Sequence, residues 1–326
     1  MMKATMLAVA GLAALTALIL PTGPARAQLL PCKVITLVVP WNPGGATDVL
    51  FRILTERYNL AGHMPALKVR NVAGERGLVG ARLVAQASPD GCLMLAAHDF
   101  VTLERLAGNT DIPADAFTPV ARVASTPLLI AVSAKSVIRT TGDLAALAKP
   151  AGGAAPALIA AGHPGSVDYF ALQALLQLIG VAPEFRSYQS PRRMVRALID
   201  GDITLAEVSP GAAAAATASG SFRLLGVTSA QPVDDFPNLP TFRSQGVDFV
   251  FELERGIFAP KGTPAPVVQA IAGNIGDLLA RPEMRGILKE KMTRATYLGP
   301  TEFADRLAQA AGAWKSVSDR IAAEKH

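Results

Sequence analysis

The stretch VITLVVPWNPGGATD, residues 34–48, determines how the rest of the chain is organised. Its six apolar or β-branched residues predict a strand that is buried on both faces. The helix breakers that follow predict a turn, and a helix is expected to begin near Ala46 or Thr47. Apolar residues at helical spacing continue this pattern over residues 50–58. The stretch therefore predicts a strand–turn–helix unit.

The turn of this unit contains Gly44 and Gly45, and its geometry suggests a binding role. A strand that feeds a helix through such a turn leaves free backbone N–H groups above the end of the strand, where the helix dipole favours an anion. The turn then forms a cradle for a carboxylate or phosphate, or it is an ordinary tight turn with glycine for steric reasons. No third glycine and no Gly-Lys-Ser/Thr follows, so neither a dinucleotide fingerprint nor a P-loop is present.

The first 27 residues have the pattern of a secretory signal. Lys3 gives a positive start, an apolar run covers residues 6–20, and Ala25-Arg26-Ala27 provides a cleavage site with small residues. The alternative is a membrane anchor, but the run is shorter than the roughly 20 residues of a membrane span. We therefore expect an exported protein that is cleaved near Ala27. Pro31 precedes Cys32, which argues against a lipoprotein.

The chain beyond the signal is long enough for two α/β lobes and carries only a mild positive charge. Its net charge falls from +5 to +3, because Lys3 and Arg26 lie in the signal. No basic run with interleaved aromatic residues occurs, so nucleic acid is excluded as a partner.

Strand and helix patterns alternate along the first part of the chain and predict a mainly parallel sheet with helices. Predicted strands cover residues 66–71 and 92–97, and a helix at 78–87 is expected to turn Val79, Leu83 and Val84 inward. In a sheet of order 2-1-3 the first and third strands are neighbours. Cys32 lies just before the first of these strands and Cys92 opens the third, so they form a disulfide or remain two buried thiols. A disulfide closing about 60 residues would contribute about 4 kcal/mol.

The second part of the chain repeats the opening pattern. A strand at 157–161, a turn at residues 162–166 and a helix at 167–179 again place a helix start beside glycine. Further predicted strands are 117–123 and 128–132, separated at residues 125–127, and then 184–188, 203–208, 223–227, 249–252 and 257–259. Further predicted helices are 141–148, 192–200, 211–219, 264–280, 282–291 and 301–324, with a loop at 150–155.

Two crossings between these parts predict a two-lobed clamp that closes on a ligand about a hinge, as a Venus flytrap does. The chain crosses near residues 128–133 and returns near residues 249–258. We therefore expect lobe 1 to comprise residues 28–130 plus 253–326 and lobe 2 to comprise residues 131–252.

The mature chain resembles the Bug family, the extracytoplasmic solute receptors of tripartite tricarboxylate transporters. The resemblance is carried by the order and spacing of ITLVVPWNPGGATDVLFRIL, SPDGCLML, FTPVARVASTPLLIAV, ALIDGDITL, LLGVTSAQ, FPNLPTF and GIFAPKGTPAPVV. It implies a two-lobed type II periplasmic-binding-protein fold, a periplasmic location, a small carboxylate ligand and a membrane permease of the tripartite tricarboxylate type as partner. We expect a monomer with no cofactor and no metal.

The resemblance also implies which residues hold the ligand. In the family, main-chain amides of two facing turns hold one carboxylate. The matching positions here are Trp41, Gly44, Gly45, Ala46, Thr47 and Asp48 in the first turn and Gly165, Ser166 and Val167 in the second. Asp48 is expected to cap the helix or hold the turn in shape, because an acidic side chain repels an anion.

The outer part of the cleft departs from the family pattern. AAHDFVTLER replaces a Gly/Ser-rich stretch that ends in Asn-Pro, and Tyr169 replaces a common His. Where the family usually has Tyr-Lys-Gly, this chain has Tyr188-Gln189-Ser190. It has Val208-Ser209 in place of Asp-Asn and Glu254-Arg255 in place of an aromatic residue. The side-chain contacts that we expect from this region are those of Tyr188, Ser209 and Arg255.

Two side chains at the predicted rim allow alternatives. Arg255 is a fork-shaped donor that either holds a second carboxylate or forms an ion pair with Glu252 or Glu254. His98 either makes binding sensitive to pH or is a packed or solvated histidine.

Other functions are less well supported by the sequence. No Ser-His-Asp order, G-x-S-x-G, H-E-x-x-H or Cys/His metal spacing is present, so we do not expect an enzyme. A hydrolytic group made of His163, Ser166 and Asp168 would need three neighbouring positions on one turn to adopt catalytic geometry. A receptor that signals to a membrane kinase is the main alternative, because sensing needs the same closing clamp.

Overall fold

The computed structural model describes residues 30–147 and 158–323, so the predicted signal and the predicted loop at 150–155 lie outside the described residues. Its strands are β1 (Val34–Val39), β2 (Ala66–Asn71), β3 (Leu93–His98), β4 (Phe117–Pro127), β5 (Leu129–Ser133), β6 (Ile159–Ala161), β7 (Glu184–Arg186), β8 (Leu205–Val208), β9 (Phe222–Val227), β10 (Glu252–Pro260) and β11 (Arg294–Leu298). Its α-helices are α1 (Ala46–Leu60), α2 (Leu78–Ala85), α3 (Phe100–Leu106), α4 (Thr141–Leu147), α5 (Val167–Ile179), α6 (Pro191–Asp200), α7 (Pro210–Ser219), α8 (Ala265–Ala280), α9 (Pro282–Lys289) and α10 (Pro300–Ala323).

Two separate sheets organise these elements. The larger sheet has the order β11-β4-β10-β3-β1-β2, and the smaller sheet has the order β7-β6-β8-β5-β9. We call the larger sheet with its helices lobe 1 and the smaller sheet with its helices lobe 2. Strand β1 is parallel to both β2 and β3, as the predicted order 2-1-3 requires. Strands β10 and β4 are antiparallel to their neighbours and lead to and from lobe 2.

Strand β1 is buried on both faces of the larger sheet, which explains its unbroken apolar sequence. Ile35, Leu37 and Val39 face the core formed with α1 and α8, whereas Val38 faces the core formed with α2 and α3. The strand–turn–helix prediction for residues 34–48 is confirmed, since α1 begins at Ala46.

Three local predictions were wrong. Residues 125–127 do not separate two strands, because β4 continues to Pro127, where it pairs with Glu252 of β10. The sequence predicted two short strands at residues 249–252 and 257–259. The structure has one strand, β10, which pairs with β4 along its whole length. In α2 the residues Val79 and Leu83 are 37% and 36% exposed, and the buried face is formed by Leu78, Ala81 and Val84. This face begins one residue earlier than predicted and repeats every three residues.

Cys32 and Cys92 form a disulfide, with 5.9 Å between their Cα atoms. The parallel pairing of β1 with β3 brings the starts of the two strands together, and the Thr36 N–H donates to the Cys92 carbonyl. The disulfide prediction is therefore confirmed.

The C-terminal helix contacts both lobes. Near the start of α10, Phe303 packs in the core of lobe 1. Further along, Trp314 packs edge-on against Phe170 of α5 and Val317 lies in the core of lobe 2. Helix α10 therefore ties the lobes together outside the two strand crossings, and the predicted lobe boundaries remain a prediction. Among the described residues, no helix has the length and apolar character needed to span a membrane.

Candidate functional site

A cleft of about 1000 Å³ lies between the two lobes. Lobe 1 contributes the ends of β1 and β3 and the helix α3, and lobe 2 contributes the turn before α5, the start of α6 and the end of β8. Leu128 and Leu253 close the cleft at the strand crossings. The cleft therefore has the position that the sequence predicts for a ligand site.

The lobe 1 wall is aromatic. The Trp41 ring stacks on the His98 imidazole with 4.7 Å between centroids and 7° between planes, and Phe100 packs edge-on against Trp41 at 5.0 Å. Burial lowers the pKa of His98 to about 3, and the positive charge of Arg255 adds to this effect. His98 is therefore neutral at physiological pH and offers a flat ring rather than a charge.

The second turn forms the opposite wall. Ser166 is the N-cap of α5, and its Oγ accepts from the Tyr169 N–H at 3.1 Å. The first turn of α5 lines the cleft at Val167 and Asp168, where the helix dipole favours negative charge. Of the hydrolytic group that the sequence allowed, Ser166 Oγ caps the helix and His163 Nδ1 contacts the Pro164 carbonyl at 3.1 Å.

Gly165 is packed closely against lobe 1. Its φ of +102° is in the left-handed region, and a Cβ at this position would lie 2.5 Å from Glu104 Oε2 and 2.8 Å from Asn109 Nδ2. The Asn109 amide donates to the Pro164 carbonyl at 2.9 Å, and Arg76 holds the Glu104 carboxylate at 2.8 Å. The edges of the lobes thus meet directly at this turn, and only glycine fits there.

The first turn has a different environment. The Asp48 carboxylate is only 3% exposed and accepts from the Gly44 N–H at 2.9 Å, the Asn71 amide at 2.8 Å and the Arg52 guanidinium at 2.9 Å. Burial would raise the pKa of Asp48, but these donors together lower it below its usual value. Asp48 therefore holds the turn in shape and does not cap α1, which is one of the two roles that the sequence allowed.

Arg255 lies behind the floor of the cleft and is only 5% exposed. Its Nε donates to Thr47 Oγ1 at 3.1 Å and its Nη1 to Thr126 Oγ1 at 2.8 Å. On β10 it is paired with His98 of β3, which places it next to a residue of the cleft wall. Burial lowers the pKa of Arg255 to about 10, and Glu207 opposes this shift, so the guanidinium is charged at neutral pH.

The acidic neighbours of Arg255 in sequence are not its partners. Glu254 pairs with Arg122 at 2.6 Å and with Arg306 at 2.9 Å, and Glu252 pairs with Arg294. Side chains alternate along a strand, so residues 252 and 254 face away from residue 255. The ion pair that the sequence allowed for Arg255 is therefore wrong, and within the described ranges no carboxylate lies within ion-pair distance of its guanidinium.

Lobe 2 places two carboxyl groups in the cleft. Asp168 is in the first turn of α5, and Glu207 projects from β8. Burial raises the pKa of Glu207 to about 8; the nearby Asp168 adds to the shift, and Arg255 opposes it. Burial also raises the pKa of Asp168. Sequence reasoning missed Glu207, although its position near the end of a sheet strand was a signal, and it considered Asp168 only as part of a hydrolytic group.

The predicted binding residues divide into two sets. Those that line the cleft are Trp41, Gly165, Ser166, Val167, Tyr188 and Ser209. Those outside its lining are Gly44, Gly45, Ala46, Thr47, Asp48 and Arg255. The first turn runs from the cleft wall at Trp41 to Ala46, which lines a second, more apolar groove between α1 and α7. Lining residues that were not predicted include Arg76, Glu104, Asn109 and Glu207.

This architecture, two lobes with a cleft between them and helix N-termini beside it, defines a two-lobed binding protein. A family model described as the tripartite tricarboxylate transporter family receptor, TctC, matches residues 59–318. The chain belongs to this family, and the sequence-based prediction of the family is confirmed.

Known proteins extend the comparison to the whole fold. The chain is 27% identical over 333 residues to the UPF0065 protein in the gbd 5′ region of Cupriavidus necator, covering 100% of this chain and 99% of that protein. The R. palustris protein Rpa4515, solved with adipate, has a TM-score of 0.74 and 25% identity, with 89% of this chain and 97% of that chain covered. The periplasmic binding protein BugD has a TM-score of 0.71 and 25% identity, with 88% and 97% covered. The predicted two-lobed fold is thus confirmed.

Proposed function

We propose that this protein is a solute receptor that captures a small organic carboxylate in the cleft between its lobes. The observation that carries the proposal is the buried guanidinium of Arg255, which lies behind the cleft floor with two threonine hydroxyls as partners. A buried cation needs an anion nearby, and a carboxylate matches the fork of a guanidinium. Membership of the receptor family and the adipate in the related Rpa4515 structure support this proposal.

The ligand carboxylate is placed between the two lobes in this account. The N-terminus of α5 supplies N–H donors and a favourable dipole from lobe 2, and Arg255 supplies the charge from lobe 1. The aromatic wall of Trp41, His98 and Phe100 covers the apolar body of the ligand. Closure of the lobes then excludes water and strengthens these charge interactions.

The cellular role follows from the family. We propose that the protein is exported, cleaved near Ala27 and active as a monomer in the periplasm. It then delivers its ligand to a permease of the tripartite tricarboxylate type. The match to a receptor family and the fold shared with the periplasmic binding protein BugD support this role.

A thermal-shift screen tests the proposal. Mono- and dicarboxylates, amino acids among them, are compared with their amides. A ligand at about 100 times its dissociation constant stabilises the protein by about 2.7 kcal/mol, a shift of a few degrees in Tm. We expect at least one acid to raise Tm while its amide does not. Equal shifts for an acid and its amide, or no shift with any acid, would contradict the proposal.

A separate variant tests whether the backbone amides of the first turn bind the ligand. The φ of Gly45 is −72°, and a Cβ there would meet only the Asn42 carbonyl at 3.9 Å, so Gly45→Val is expected to fold. If the amides of this turn reach the ligand on closure, the valine blocks them and binding is lost. Wild-type affinity in the folded variant would remove Gly44, Gly45, Ala46 and Thr47 from the site and leave Arg255 and α5 in place.

A further inference from the structure

The charges around the cleft floor are separated by sign between the lobes. Lobe 1 supplies the positive charge of Arg255, and lobe 2 supplies the carboxyl groups of Asp168 and Glu207. These groups are close enough for Asp168 and Arg255 to have opposite effects on Glu207. An anion at this floor therefore has the Arg255 guanidinium behind it and two acidic side chains of lobe 2 beside it, while the Arg76 guanidinium of the lining is paired with Glu104.

The two acidic side chains have no salt-bridge partner in the described ranges, although the Asp168 carboxylate accepts its own backbone N–H. Within residues 30–147 and 158–323, neither Asp168 nor Glu207 has an ion pair. The same is true of other acidic groups at the surface, but these two lie in a cleft where burial makes charge costly. The other acidic side chain of the lining, Glu104, is already held by Arg76 and Asn109.

A second, independent observation concerns the polar groups of lobe 1 beside the cleft. Arg255 is more than nine-tenths buried, and only neutral hydroxyls satisfy its guanidinium. In the same wall, His98 Nδ1 is buried and has no hydrogen-bond partner. A buried charge without a counter-ion beside the cleft and an unsatisfied nitrogen in its wall indicate where a ligand supplies the missing partner.

We propose that the ligand is a zwitterion: its carboxylate lies against the cleft floor in front of Arg255, and Asp168 and Glu207 hold a positively charged nitrogen of the same molecule. The proposal rests on the function given above and narrows it from carboxylates in general to small amino acids. A receptor of this kind disfavours simple dicarboxylates. The second carboxylate of such a ligand would lie beside Asp168 and Glu207, and the like charges would repel each other.

The pH dependence of the affinity should differ between classes of ligand, because Asp168 and Glu207 together bind a proton. The charged or titratable groups that face the pair are Arg255 and His98 from lobe 1, His163 beside α5, and the Arg76–Glu104 pair. Because the pKa of Glu207 is about 8 in the free protein, the pair holds a proton at neutral pH. An ammonium group displaces that proton, so the affinity for a zwitterion rises by up to tenfold per pH unit between about pH 6 and 8. A dicarboxylate needs the proton, so its affinity is constant up to about pH 8 and falls above it.

The experiment compares matched ligands on the purified protein. Each α- or ω-amino acid is paired with the dicarboxylate and the monocarboxylate of the same chain length, for example aminocaproate with adipate and caproate. We expect an amino acid to bind at least tenfold more tightly than both matched acids. If an acid binds as tightly as the best amino acid, the zwitterion assignment fails and the carboxylate receptor stands. If no carboxylate of any kind binds, both fail.

Two neutral variants test whether Asp168 and Glu207 cause the preference for amino acids. Asp168→Asn and Glu207→Gln keep the side-chain shape, and we expect each to weaken the best amino acid tenfold or more and to leave the dicarboxylate equal or tighter. Glu184→Gln is the matched control, because Glu184 lies on β7 of the same lobe with a side chain that is 60% exposed. Unchanged amino-acid affinity in both folded variants, or a pH profile with the opposite slope, would overturn the assignment.

Discussion

The two strand–turn–helix units have the same sequence pattern and different surroundings. In the unit β1–α1 the turn is held internally, because the Asp48 carboxylate accepts the Gly44 N–H while Gly44 and Gly45 remain exposed. In the unit β6–α5 the hydroxyl of Ser166 caps the helix, and Gly165 is packed against lobe 1. The comparison teaches that the pattern specifies the local turn, whereas the tertiary structure decides which turn meets the other lobe.

The largest expected difference concerns the disulfide, which fixes the first unit only. Cys32 and Cys92 are 60 residues apart in sequence. Closing a loop of this length stabilises the folded protein by about 4 kcal/mol in the chain-entropy model. Urea unfolding of the oxidised and reduced protein should show this difference in the free energy of unfolding. Equal unfolding midpoints would mean that the bridge does not constrain the unfolded chain.

The glycines of the two turns should respond differently to a methyl group. Gly165→Ala brings a Cβ within 2.5 Å of Glu104 Oε2 at a positive φ, so we expect a loss of about 2–3 kcal/mol and weaker ligand binding. Gly45→Ala is the control, because its φ is negative and its nearest contact is ordinary; we expect less than about 1 kcal/mol. Similar losses in the two variants would show that the lobes do not press together at Gly165.

The buried carboxylate of Asp48 in the first unit should give a stability that depends on pH. Asp48→Asn removes the charge that Arg52, Gly44 and Asn71 satisfy, and we expect a loss of about 2 kcal/mol at pH 7. The folded-state pKa of Asp48 is lowered from its usual 3.8, so its contribution is present above that value and is lost as pH falls through the folded pKa. The gap between the two proteins should therefore shrink below about pH 4 in urea unfolding. A gap that is constant with pH would contradict this role.

The hydroxyl cap of the second unit should have the smallest effect and no such pH dependence. Ser166→Ala removes the acceptor for the Tyr169 N–H, which costs about 1 kcal/mol for a typical N-cap. A serine hydroxyl does not titrate, so the loss should be the same at about pH 4 and pH 7. The measurement is urea unfolding of the variant at both pH values. A loss that varied with pH would point to Asp168, two residues further on, rather than to the cap.

Local sequence predicted the parts of this fold that short-range patterns control. The bounds of β1 and α5, the neighbouring β1 and β3, and the disulfide followed from apolar runs, helix breakers and the parallel-sheet order. The helix α3 and the strand β11 were missed. α3 is short, and β11 is an edge strand whose residues are largely half-exposed, so neither has a long apolar period.

The site was less predictable than the fold because its charges come from distant elements. The place of Arg255 depends on Thr47 and Thr126, which are 208 and 129 residues away in sequence. The acidic neighbours of Arg255 in sequence made an ion pair plausible, but strand alternation points them to the opposite face. The tertiary fold is needed to bring Glu207 of lobe 2 near this guanidinium.

The central claim is that the cleft binds a carboxylate through Arg255, and one calorimetric titration tests it most directly. The tightest carboxylate of the screen is titrated into the wild type, Arg255→Gln and the control Arg122→Gln, whose partner Glu254 keeps Arg306. Arg255→Lys, which retains the charge without the fork, serves if the glutamine variant does not fold. We predict that Arg255→Gln raises the dissociation constant about a hundredfold or more over that of the wild type, and that Arg122→Gln changes it little. Wild-type affinity in a folded Arg255 variant would contradict the account.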